Sequence, residues 1–148
     1  MHVAIVGRTA RSLDNIAGVK AYAFSALCEV EQRVWDLLAL TRDAAAAPFS
    51  GQLSTRNLLL PGDSEPKLAL RLHASQVVSY GFSPRDTLTL SSVTGTERLL
   101  CLQRSLLTLG GRVLEPQELP LSPALSALSG EDALLVAGVM CFQDLPFF

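Results

Sequence analysis

Short apolar runs closed by glycine or proline set the rhythm of this chain. The first, His2 to Val6, stops at Gly7. Its apolar residues are continuous rather than alternating, which predicts a strand buried on both faces. Arg8 to Gly18 is polar and rich in small residues and reads as a loop. From Phe24 to Ala46 the spacing changes. Leu27, Val30, Val34, Leu37, Leu38 and Thr41 recur every three or four residues, with Glu29, Gln32, Arg33 and Asp36 mostly between them. That spacing predicts an amphipathic helix, prolonged by Ala44 to Ala47 and stopped by Pro48. Pro48 to Thr55 reads as a surface loop.

Asn57 to Leu60 predicts a second buried strand, ended by Pro61-Gly62-Asp63. Ser64 is then placed to cap a short helix with Pro66 in its first turn, filled by Leu68, Leu70 and Leu72. Gln76 to Tyr80 predicts a third strand, ended by Gly81. Strand, helix, strand in so short a stretch is a βαβ unit, right-handed and with parallel strands. Beyond Pro84 the pattern changes again. Thr87 to Val93 alternates, and Leu99 to Leu109 is apolar. Gly110-Gly111 then separates this run from Val113-Leu114. Two glycines between apolar runs mark a hairpin, because both tolerate positive φ. Pro116 and Pro120 confine its second arm to a sheet edge. Ala124 to Phe142 predicts a closing helix, broken at Gly130, with Glu131 and Asp132 in the first turn of its last segment. The sum is a single domain over residues 1–148 of the α/β class. It has a three-layer, Rossmann-like parallel core, an added antiparallel hairpin and a closing C-terminal helix.

Composition narrows the function classes. The chain has 148 residues, 49% of them hydrophobic and 18% charged, which excludes a disordered chain. Its longest apolar run, Ala133 to Phe142, is too short for a spanning helix of about 20 residues. No basic segment followed by an apolar one opens the chain, so no secretion signal is expected, and no membrane partner. The net charge is −2 and the basic residues are scattered, so no nucleic-acid footprint is expected either. Cys28, Cys101 and Cys141 are odd in number and widely spaced, which argues against a disulfide framework. Each lies among apolar neighbours and reads as a reduced core thiol of a cytoplasmic protein.

Two turns invite a chemical reading. Gly7-Arg8-Thr9-Ala10-Arg11-Ser12 follows the first strand, where Arg8, Arg11 and Ser12 are placed to meet an anion. A phosphate cradle needs a second glycine before a lysine, and here Ala10 and Arg11 stand instead, so an ordinary strand-to-loop turn is the plainer reading. The Gly62-Asp63 turn precedes a helix N-terminus, a place that attracts anions, yet Asp63 and Glu65 oppose one. Gly81 closes the third strand. Since ligands gather beyond the carboxyl ends of parallel strands, Gly7, Gly62 and Gly81 are expected to line one crevice. His2 and His73 are too few for a zinc site, and His73 reads as a cation at a helix end. The local carboxylate pairs have no catalytic spacing and no Gly-x-Ser-x-Gly elbow occurs. The tail Leu145-Pro146-Phe147-Phe148 needs burial, on its own domain or on a partner.

From Leu58 onward the chain resembles the last part of the central, ATP-binding domain of the Mur ligase family. Leu58-Leu59-Leu60-Pro61-Gly62-Asp63 stands where that family has a strand and an Asn-Ala-Asp-Asp-Pro turn. Val77-Val78-Ser79-Tyr80-Gly81-Phe82-Ser83 matches its next strand and turn. Glu118-Leu119-Pro120-Leu121 and the helix from Ala133 to Val139 follow in the family's order. The resemblance implies that fold. The family's phosphate loop aligns only with Gly7 to Ser12, without its second glycine and lysine. Its His-Asn turn is replaced by Ser122 to Leu125. Residues 12 to 57 leave no room for its magnesium-binding segment, and its third domain has no counterpart. The resemblance therefore implies the fold without the ligase activity. The expectation is a non-catalytic binding or assembly module that needs no cofactor and acts on a protein partner or another copy, through Phe147 and Phe148. The competing expectation is a small-ligand or nucleotide site at Gly7, Arg8, Arg11, Ser12, Gly62, Asp63 and Gly81.

Overall fold

The computed structural model describes residues 1–92 and 98–145. In chain order the elements are β1 (Val3–Val6), α1 (Ala10–Leu13), β2 (Tyr22–Phe24), β3 (Val34–Leu40), α2 (Arg42–Ala46), β4 (Ser54–Pro61), α3 (Pro66–Arg71), β5 (Gln76–Tyr80), β6 (Leu88–Ser92), β7 (Arg98–Leu102), β8 (Leu106–Leu107), β9 (Val113–Leu114), β10 (Gln117–Pro120), α4 (Pro123–Ser126) and α5 (Gly130–Phe142). Single 3-10 turns lie at Ile16–Gly18 and Leu27–Glu29. Eight strands form one sheet in the order β10-β7-β6-β5-β4-β3-β1-β2, and β8 pairs with β9 apart from it. The sheet is parallel from β2 to β6 and antiparallel from β6 to β10.

Alternation along each strand sends side chains to two separate cores. Ile5, Leu37, Ala39, Leu59, Val78, Tyr80 and Leu88 pack with α5, α1 and α4. Ala4, Val6, Leu38, Leu40, Leu58 and Leu60 pack on the opposite face with α2 and α3. The fold is therefore α/β with helices on both faces, as its residues predict. β1 connects to β2 on one side of itself, and the chain then returns to place β3 on the other. This makes the gap between β1 and β3 a topological switch point, where open α/β sheets bind ligands beyond the strands' carboxyl ends.

α5 fills the middle of the first core. Every residue from Ala133 to Phe142 is buried, so no polar stripe marks a solvent side, as expected of a helix enclosed all round. It lies close enough to the sheet that a Cβ on Gly138 would stand 2.6 Å from Leu59 Cδ2 and 3.0 Å from Leu88 Cδ1. Ser129 caps it, its hydroxyl accepting the Asp132 N–H at 3.2 Å, so the expected break at Gly130 is a helix start. The hairpin also forms as expected at Gly110-Gly111, with Leu106 and Leu107 paired to Leu114 and Val113. Its arms are shorter than expected, however: Leu99 to Leu102 belong to β7, and Pro120 lies not on the hairpin's second arm but on β10, an edge strand of the main sheet next to β7. The βαβ unit β4-α3-β5 is parallel, as expected.

Several expectations are corrected. The helix over Phe24–Ala46 does not form; that stretch holds the end of β2, a 3-10 turn, β3 and only a short α2. Leu37 and Leu38 enter opposite cores, which a strand allows and a one-sided helix does not. A strand buried on both faces reads as a continuous apolar run, and such a run mimics helical spacing. The Arg8–Gly18 loop contains α1 and a 3-10 turn. Phe49 and Leu53, in the supposed surface loop, are buried, and β4 already begins at Ser54. Ser64 does not cap α3; Glu65 holds that place without a side-chain bond, and Pro66 opens the helix. Of the thiols only Cys141 is buried. Cys101 is half-buried and Cys28 exposed. His73 ends α3 in a left-handed conformation, φ 49°, with the Ala74 N–H donating to Ala69 O and the His73 N–H to Leu70 O, a position that glycine favours. Among the described residues no helix is long and apolar enough to cross a membrane. Val93, Phe147 and Phe148 lie outside the described residues.

Two substitutions check these packing arguments. Gly138→Val drives a branched side chain against Leu59 and Leu88 and is expected to cost about 2–3 kcal/mol, lowering the thermal midpoint by roughly 4–12 °C. His73→Gly relieves the left-handed residue and is expected to stabilise by roughly 0.5–1 kcal/mol, measured by urea unfolding.

Candidate functional site

The carboxyl ends of β1, β3, β4 and β5 form the switch-point rim, and the N-terminus of α5 rises beside them. Gly7, Gly62 and Gly81 all end strands of this rim, as expected. Their neighbours explain why each is glycine. A Cβ on Gly7, whose φ is 147°, would stand 1.7 Å from Thr41 Oγ1. A Cβ on Gly62 would stand 1.7 Å from Asp86 Oδ1, and one on Gly81 2.4 Å from Asp86 Oδ2. The Asp86 side chain thus sits between two strand ends, and the residue is only 5% exposed.

The turn that delivers Asp86 is tight. Its N–H donates to Ser83 O at 3.0 Å around Pro84, and its Oδ2 accepts the Ser83 N–H at 3.1 Å. Gln103 Nε2 donates to Asp86 O at 2.6 Å and ties the turn to the chain beyond β7. At the end of β1 a second carboxylate plays a similar part. Asp43 Oδ2 accepts the Arg8 N–H at 3.0 Å, and its Oδ1 accepts the Thr41 hydroxyl at 2.6 Å. At the start of α5 the Ser129 hydroxyl takes one end amide, and Glu131 and Asp132 occupy the first turn, where their charge suits the helix dipole.

Arg42 crosses the rim. Its Nη1 is 2.6 Å from Asp63 Oδ2, and its Nε donates to Glu131 Oε1 at 2.8 Å. One guanidinium therefore joins the end of β3, the β4–α3 turn and α5. These bonds, that to Glu131 first, hold the Arg42 proton more firmly than usual, and the bond from Arg42 holds the Asp63 carboxyl below its ordinary value. Both groups are well exposed, and such pairs add little stability singly. Beneath them Tyr80 donates its hydroxyl to Leu40 O at 2.7 Å, a buried bond from β5 to β3 across β4. Burial first, and the Glu131 charge second, push the Tyr80 hydroxyl far above the ordinary tyrosine range.

The rim brings Gly7, Gly62, Asp63 and Gly81 together through Thr41, Arg42 and Asp86. Arg8 gives only its backbone N–H to the arrangement. Arg11 and Ser12 are exposed on α1, and the Ser12 hydroxyl is spent on Thr9 O. Thr41, Arg42, Asp43, Asp86 and Glu131 were missed as site residues. Asp43 and Arg42 were hidden inside the supposed long helix, whereas Ser83-Pro84-Arg85-Asp86 carries a turn signal with proline in its second place. Among the described residues no three His, Cys, Asp or Glu side chains are grouped to hold a metal ion. No family model, curated protein or solved structure matches this chain.

Tyr80→Phe leaves the Leu40 carbonyl without its buried donor and is expected to cost about 1–2 kcal/mol near neutral pH. The tyrosine's proton is held more tightly folded than unfolded. Its contribution is therefore complete below about pH 10, the unfolded value, and is lost as pH rises beyond it. Urea midpoints from pH 8 to 11.5 should fall less steeply above pH 10 in Tyr80→Phe than in the parent.

Proposed function

We propose that this chain is a non-catalytic binding or assembly module, acting through its surface on a protein partner or on another copy of itself. The carrying observation is that the protein's own carboxylates occupy the rim. Asp43 takes the amide at the end of β1, Asp86 fills the space between Gly62 and Gly81, and Glu131 and Asp132 stand in the first turn of α5. A nucleotide phosphate approaching the switch point meets these charges before any free amide. The one central guanidinium, Arg42, is already held by two carboxylates. Tyr80 and Gly81, the most specific residues of the Mur-ligase resemblance, have structural duties here. One bonds Leu40 and the other makes room for Asp86.

Thermal unfolding with ATP, a dinucleotide and inorganic phosphate, each near 5 mM, tests this reading against a nucleotide or small-ligand site at the glycine turns. A ligand present at a hundred times its dissociation constant adds about 2.7 kcal/mol, or roughly 5–10 °C for a domain of this size. The expected shift is below about 1 °C for every ligand. A rise of several degrees overturns the reading.

A further inference from the structure

We draw no further inference here: the strongest candidate, the cavity at the C-terminal end of α5 lined by Lys20, Leu109, Phe142, Gln143 and Leu145, carries nothing, because its wall ends at the last described residue and nothing in the structure shows what covers it.

Discussion

The close approach of α5 to the sheet at Gly138 is the constraint on which the other contacts depend. A helix buried along its whole last ten residues needs a layer on every side. The sheet supplies one through Leu59 and Leu88, and α1, α4 and the β8–β9 hairpin supply the rest through Leu13, Leu125 and Leu106. A side chain at residue 138 would lift the helix off the sheet and open the densest part of the core, where even one added methylene is felt. The same seating fixes where α5 begins. Its first turn comes to the carboxyl ends of the strands, which brings Glu131 within reach of Arg42.

Seating the helix thus leads to the closed rim. Parallel strands with a switch point usually leave free amides and a helix N-terminus facing a crevice. In this chain the Arg8 N–H past β1 goes to Asp43, the Gly62 and Gly81 N–H groups go to Tyr80 O and Leu88 O with the Asp86 side chain packed against both glycines and holding the Ser83 N–H, and Ser129 takes the Asp132 N–H at the start of α5. A binding architecture is kept while the chemistry that receives an anion is satisfied from within.

Much of this fold is legible in the sequence where a local signal and a tertiary need agree. β5 is bounded by a serine and a glycine and has the β-branched Val77-Val78 pair. Gly110-Gly111 has no other use than a turn, and Pro120 belongs at an edge. Legibility fails where two faces are buried at once. In β3 the run Leu37-Leu38-Ala39-Leu40 is apolar on both sides, so its spacing carries no information about period, and neighbouring residues lend it a helical one. The glycine turns were placed correctly at the strand ends, but a sequence does not say what stands against a glycine. Gly62 and Gly81 suggested space for a ligand, and the space belongs to Asp86, distant from Gly62 along the chain and brought there by the Ser83–Asp86 turn.

The central claim is that carboxylates of the chain itself hold the rim amides in the absence of any ligand. Amide hydrogen exchange in the ligand-free protein, read residue by residue, tests it most directly at Arg8 and Ser83. Both residues are exposed, so their amides exchange at free-chain rates unless Asp43 and Asp86 hold them. The account predicts exchange at least about a hundred-fold slower than the free-chain rate at both positions, corresponding to opening free energies near 3 kcal/mol. Unprotected exchange at both would show amides open to an outside anion and would contradict it.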